Sequence, residues 1–261
     1  MSILNQIVAD KKKEVELRKT LFSTAYWEAS PLFQRKTNSL AARLKASDSG
    51  IIAEHKRRSP SKPNINTTLS VAEVAKGYEE AGVCGMSVLT DGKYFGGSLD
   101  DLIQARAACE LPLLRKDFIV DAYQIIEAKA HGADVILLIA ACLSREEIKA
   151  LSLFAKDLAM DVLLEVHNEA ELNASMMPSI DLLGVNNRDL KTFTVSLETS
   201  RSLAKKIPDD FVKVSESGIS DAAAIKDLQS YGYQGFLVGE NFMKTKNPGE
   251  AAQGFIKTIE G

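Results

Sequence analysis

Cysteine is scarce: Cys84, Cys109 and Cys142 are the only three in 261 residues. An odd, widely spaced set without a CxxC pair excludes a disulfide framework and a zinc knuckle, so buried thiols are expected. Histidine is equally sparse. His55, His131 and His167 lack HxH or HExxH spacing, which disfavours metal chemistry and leaves only carboxylate sites open. No apolar run approaches the roughly 18 residues of a membrane span. The N-terminal apolar stretch meets its charges too early for a secretory signal. A cytoplasmic protein without membrane partners is therefore expected. Charge of one sign is also missing: 32 Lys and Arg against 35 Asp and Glu leave a net charge of −3. No bulk positive field points to nucleic acid, although local basic clusters can hold a small anion. Finally, no GxGxxG turn follows the first strand-like run, which argues against a doubly wound open sheet, the main competing architecture.

Repetition is what the chain does have. Eight short runs rich in Val, Ile and Leu occur at 50–56, 85–91, 112–118, 133–140, 161–167, 181–187, 211–217 and 235–241. Each is nearly continuous in hydrophobicity, as strands buried on both faces of a parallel sheet must be. Helical patterns separate them, several opening on Ser or Asp N-caps such as Ser70 and Ser144. Eight βα units predict an α/β fold, an eight-stranded parallel TIM barrel. Residues 1–48 fall outside the repeat. Ser2 to Lys19 reads as an amphipathic helix with Ile3, Leu4, Ile7, Val8, Val15 and Leu17 as apolar candidates, and Leu40, Ala41 and Leu44 suggest another. The expectation is one domain over 1–261, with an N-terminal helical extension capping the barrel.

Polar residues collect at the C-terminal ends of the runs, where barrel enzymes keep their active sites. Glu54 and Lys56 stand two apart, so both can face one side. Lys116 closes the third run, Glu165 the fifth, Asn186 and Arg188 the sixth, and Glu216 and Ser217 the seventh. Lysines, carboxylates and an amide converging on one mouth suit acid–base work on a polar substrate. A structural Glu54–Lys56 ion pair is the plainer alternative. Glu165, set among Leu and Val, must be paired or perturbed. Phe95 and Phe118 fit either core packing or a bound aromatic ring stacked between them. Gly218 and Gly239, in loops seven and eight, suggest a phosphate site, and the basic KRRSPSK loop can meet the same anion.

The motifs IIAEHKRRSPSK, SVLTDGKYFGGSLDDL, LPLLRKDFIVDAYQI, LLEVHNEAEL, GVNNRDLKTF, VSESGIS and FLVGENFM resemble, in order, those of the indole-3-glycerol phosphate synthase family. The resemblance implies a lyase of tryptophan biosynthesis acting on 1-(2-carboxyphenylamino)-1-deoxyribulose 5-phosphate, with no cofactor and no metal. It implies Lys116 as general acid, Lys56 as partner of the substrate carboxylate and phosphate, and Glu54 in the dehydration half. Glu165 becomes base or charge stabiliser and Asn186 the amide that orients the sugar. Ser59, Phe95, Phe118, Arg188, Glu216 and Ser217 are implied substrate contacts, and Lys56, Gly218, Gly239 and Glu240 phosphate contacts. Three residues depart from the pattern: Pro63 stands where Gly is usual, His55 where an apolar or aromatic residue is usual, and Glu240 where a small hydroxyl residue is frequent. The Glu240 carboxylate is expected to point away from the anion. Other readings stay open: another phosphosugar barrel, including a Schiff-base aldolase using Lys116 or Lys213, or a non-catalytic barrel that binds a phosphorylated ligand. A monomer is expected.

Overall fold

In a computed structural model, described over residues 2–189 and 192–261, eight parallel strands close into a barrel in sequence order. They are β1 (Ile51–His55), β2 (Gly85–Leu89), β3 (Leu113–Lys116), β4 (Val135–Ile139), β5 (Asp161–Val166), β6 (Leu182–Asn186), β7 (Val212–Glu216) and β8 (Gly235–Val238). Pairing of β8 with β1, Leu237 opposite Ile52, closes the ring and excludes the open sheet. All eight strands lie within the expected runs.

Helices preceding and within the first units are α1 (Ile3–Leu21), α2 (Thr24–Glu28), α3 (Leu40–Lys45), α4 (Val71–Glu80), α5 (Gly92–Phe95) and α6 (Leu99–Ala108). After β3 come α7 (Tyr123–Ala130), α8 (Arg145–Asp157), α9 (Glu169–Ser175), α10 (Glu198–Ala204), α11 (Ala222–Ser230), α12 (Glu240–Met243) and α13 (Pro248–Glu260). Ser70, Ser144 and Asp221 cap α4, α8 and α11 by accepting backbone N–H groups two or three residues into the helix. At α7 no side chain caps the first turn as an N-cap. Its N-cap is Ala122, while Asp121 accepts the Tyr123 N–H at 2.9 Å and pairs with Lys19 at 2.5 Å.

Strand alternation sorts the side chains into two cores. Ile51, Ala53, Val88, Ile136, Leu138, Val162, Leu164 and Val185 face the helices. Ile52, Leu114, Val135, Leu137, Leu163, Leu182, Val212, Val214 and Leu237 fill the barrel. His55 belongs to the outward set and is buried, with Nε2 unpartnered. Burial pushes its pKa down to about 4, so it is a neutral packing residue.

The N-terminal segment touches both ends of the barrel. Leu40 and Leu44 of α3 join the interior core, beside Gly85 and Gly235 at the starts of β2 and β8. Trp27 of α2 donates to Tyr123 Oη at 2.7 Å and packs on His131. On α1 the buried stripe is Ile7, Lys11 and Val15. Leu17, expected to be apolar contact surface, is 60% exposed. Lys11 takes the buried position because its ammonium reaches Asp91 and Asp117, each at 3.1 Å. Burial opposes that charge, but Asp117 and Asp91 outweigh it and raise the Lys11 pKa. Replacing Lys11 by Met removes the cation beside buried Asp91 and leaves Asp117 to Arg115 and Thr90. The expected loss is about 3–5 kcal/mol of unfolding free energy, measured by denaturant titration with the fluorescence of Trp27, the only tryptophan.

Candidate active site

Alternation and closure together decide which polar residues meet. The last inward-facing residues of β1, β3, β5 and β7 are Glu54, Lys116, Glu165 and Glu216. Alternate strands contribute the four side chains of one interior layer in such a barrel. Here that layer, resting on an apolar floor, is one lysine and three carboxylates. Lys116 Nζ lies 2.6 Å from Glu216 Oε2, 3.8 Å from Glu165 Oε2 and 3.9 Å from Glu54 Oε2. Lys56 Nζ donates to Glu54 Oε1 at 2.6 Å. Two glycines leave room for this crowding. A Cβ at Gly239 would sit 2.6 Å from Glu54 Oε1, and one at Gly184 would collide with Glu216 Oε1.

The electrostatics follow from burial and neighbours. Burial works against the charge on Lys116, but Glu216, Glu54 and Glu165 outweigh it and raise its pKa. Burial likewise opposes ionisation of Glu54, and Lys56 and Lys116 reverse it, so its pKa is lowered. Glu165 is also lowered against burial, chiefly by His167 and then Lys116. His167 reaches Glu165 at 3.3 Å and Glu171 at 3.1 Å, and these carboxylates raise it to about 10 despite burial. Glu216 goes the other way. Burial lifts its carboxyl to about 7, with Glu165 and Glu54 adding to the rise and Lys116 opposing it.

Above this layer a cavity opens at the strand ends. Glu54, Lys56, Ser59, Phe95, Lys116, Phe118, Glu165, Asn186, Arg188, Ser217, Gly218, Gly239 and Glu240 all line it. The family model for indole-3-glycerol phosphate synthase matches residues 4–255 of the chain. The chain belongs to the indole-3-glycerol phosphate synthase family. An indole-3-glycerol phosphate synthase of Bacteroides thetaiotaomicron is 46% identical over 258 residues, covering 99% of each chain. One from a Polaromonas species is 46% identical over 253 residues, covering 95% of this chain and 96% of the other. A thiamine phosphate pyrophosphorylase from Pyrococcus furiosus shares the fold alone, with a TM-score of 0.62 at 15% identity, covering 85% of this chain and 98% of that one. The activity is accordingly that of an indole-3-glycerol phosphate synthase, a carboxy-lyase of tryptophan biosynthesis.

Within the synthase barrel, one expected contact lies elsewhere. Glu216 is buried behind Lys116, off the cavity surface, because Gly184 leaves space for it beneath the mouth. The aromatic pair also differs from expectation. Phe95 and Phe118 have ring centroids 6.0 Å apart and touch each other. A ring between them would need about 7–8 Å, twice the carbon–carbon contact distance, so the pair forms one wall. The Glu240 side chain is 40% exposed at the mouth. It lines the cavity and its carboxylate pairs with Lys62 from the loop after β1. In that loop Ser59 and Lys62 exchange backbone hydrogen bonds at 2.8 and 3.0 Å. Pro63 follows the closed turn, so its missing N–H costs no turn hydrogen bond. Lys213 faces away from the mouth, paired with Asp209 at 3.1 Å.

Sequence reasoning missed Ile3, Leu4 and Ile7, which roof the cavity from α1, and Phe193, which lines it from the loop after β6. The helical spacing of the first three was visible, but the cavity they line is assembled from residues spread from Glu54 to Asn241.

The raised Glu216 pKa makes a linkage prediction. Its proton is held more tightly in the folded state, so the stabilisation is complete below about pH 4.5 and is lost as pH rises through about 7. Wild-type stability should fall relative to Glu216→Gln over that window, by at most about 1.4 kcal/mol per pH unit. Denaturant titrations at half-unit pH steps check it; parallel curves for the two proteins would refute it.

Proposed function

We propose that Lys116, Glu54, Lys56, Glu165 and Asn186 convert 1-(2-carboxyphenylamino)-1-deoxyribulose 5-phosphate into indole-3-glycerol phosphate, CO2 and water. The observation that carries this reading is the Lys116 ammonium facing the cavity floor amid three carboxylates. Ring closure joins the carboxylate-bearing ring carbon to the keto carbon, whose oxygen becomes an alcohol. A proton delivered to that oxygen as the bond forms lowers the barrier, and Lys116 is the donor. The carboxylate then leaves as CO2, and its electron pair restores the aromatic ring. Loss of the hydroxyl as water, with a proton from the adjacent methylene, completes the indole. Glu54 assists this second half, and Glu165 stabilises the positive charge that develops on nitrogen or accepts the departing proton.

The remaining lining divides by chemistry. Lys56 meets the substrate carboxylate and phosphate. Asn186, Arg188 and Ser59 hold the sugar chain, and the Phe95–Phe118 wall packs against the anthranilate ring. Glu216 acts through Lys116, holding its ammonium in place. The phosphate lies against backbone N–H groups of Ser217, Gly218, Gly239 and Glu240, a glycine-rich cradle at the start of α12. Lys62 neutralises the Glu240 carboxylate, which removes its repulsion of the anion. A monomer acting in the cytoplasm completes the reading, and among the described residues no helix is long and apolar enough to cross a membrane.

A Schiff-base aldolase is disfavoured by the same cluster. Such an enzyme needs a neutral amine, obtained by depressing a lysine pKa, whereas Lys116 is held charged. Indole formation, followed by fluorescence with EDTA present, tests the reading. Wild-type protein should turn over, and Lys116→Ala should lose about 10²–10⁴-fold in kcat with its circular dichroism unchanged. Near-wild-type turnover of the variant would remove Lys116 from the acid role.

A further inference from the structure

Directly behind the mouth lies a buried polar ring that the chemistry above leaves unused. Strand alternation turns Asn186 into the cavity and its neighbour Asn187 outward, beneath α10. Asn187, Ser200 and Ser215 are 2% exposed or less. The Asn187 amide donates to Ser215 Oγ at 3.0 Å, Ser215 and Ser200 hydroxyls are 2.8 Å apart, and Ser200 Oγ lies 2.8 Å from Asn187 Oδ1. The Ser200 backbone N–H also donates to Oδ1 at 3.1 Å, which fixes which end of the amide is oxygen. Nδ2 is thereby aimed at β7. There it reaches the Glu216 carbonyl at 3.0 Å and the Ser217 carbonyl at 3.1 Å, and the Asn187 backbone N–H joins at the Glu216 carbonyl at 2.9 Å.

Those two carbonyls belong to a strained turn. Ser217 has φ 67° and Gly218 φ 81°. A left-handed backbone costs a non-glycine residue roughly 1–2 kcal/mol and persists only where its surroundings hold it. A trans peptide points its N–H opposite to its C=O. Tethering the carbonyls of Glu216 and Ser217 behind the barrel therefore turns the N–H groups of Ser217 and Gly218 toward the cavity that both residues line. We propose that Asn187 is a positioning residue: its amide holds the Ser217–Gly218 turn so that two peptide N–H groups face the phosphate of the substrate. This rests on the phosphate cradle argued above and adds the residue that orients it.

The test compares Asn187→Ala with Tyr233→Phe. Tyr233 donates to the Ser200 carbonyl at 2.7 Å, so its loss weakens the same network without touching the β7 turn. Inorganic phosphate is used as a competitive inhibitor of indole formation. In Asn187→Ala, both KM and the phosphate inhibition constant should rise about 10–100-fold with kcat changed little. Tyr233→Phe should lose stability with both constants unchanged. An unchanged inhibition constant in Asn187→Ala, or an equal rise in Tyr233→Phe, would overturn the proposal while the cradle stands. Failure of phosphate to compete in the wild-type protein would remove the cradle itself, and the role of Asn187 with it. Should Asn187→Ala fold poorly, Asn187→Ser, too short to reach both carbonyls, gives the same comparison.

Discussion

The Lys116 ammonium, within 3.9 Å of three buried carboxylates, is the interaction on which the rest of the site depends. Each carboxylate would cost several kcal/mol to bury alone. One lysine among them changes that balance, with Lys56 supporting Glu54 from one side and His167 supporting Glu165 from the other. Charge is thus distributed unevenly over chemically equal groups. Glu54 and Glu165 are held ionised, while Glu216 is shifted the other way by burial and by the two neighbouring carboxylates, against the pull of Lys116. The same field keeps Lys116 charged, which suits the proton-donor role proposed for it and disfavours an amine nucleophile. The electrostatics of the cavity floor therefore come from one layer of four side chains.

That layer is supported from outside by a second buried charge cluster. Asp117, next to Lys116 in sequence, points the opposite way and is shared by Lys11, Arg115 and Thr90. Arg115 continues to Glu127 on α7, which also binds Arg18 of α1. The N-terminal helix is therefore tied by ionic contacts to the strand that carries the lysine, while its apolar residues roof the cavity. Stability of the extension and geometry of the mouth are coupled through β3. The Asn187 ring performs the corresponding service at β6 and β7, on the outer side of the strands that bear Asn186 and Glu216.

Much of this was legible in the chain. Eight Val, Ile and Leu runs separated by capped helical stretches specify a parallel α/β barrel, because strands buried on both faces need continuous hydrophobicity. The polar residues closing most of the runs marked the mouth, since such residues cannot be accommodated lower in an apolar interior. Spacing of two put Glu54 and Lys56 on one side, and they do meet. Other features left no local mark. Lys11 looks like an ordinary charged helix residue until Asp91 and Asp117 are brought over it. Leu17 carries the hydrophobicity expected of a contact, yet α1 turns it to solvent. Phe95 and Phe118 read either as core or as a slot for a ring, and with centroids 6.0 Å apart they form one wall.

By itself, then, the sequence determined the number and kind of elements, the side of each strand on which a residue falls, and the end of the barrel where chemistry collects. These are local consequences of period-two alternation, helix capping and the cost of burying polar groups. Only the tertiary structure decided which charges become neighbours: that four odd strands bring one lysine to three carboxylates, that Glu216 lies behind that lysine, and that Asn187 reaches two carbonyls of β7. Ring closure and strand stagger fix those distances, and burial turns a few ångströms of separation into the difference between an ionised carboxylate and a protonated one.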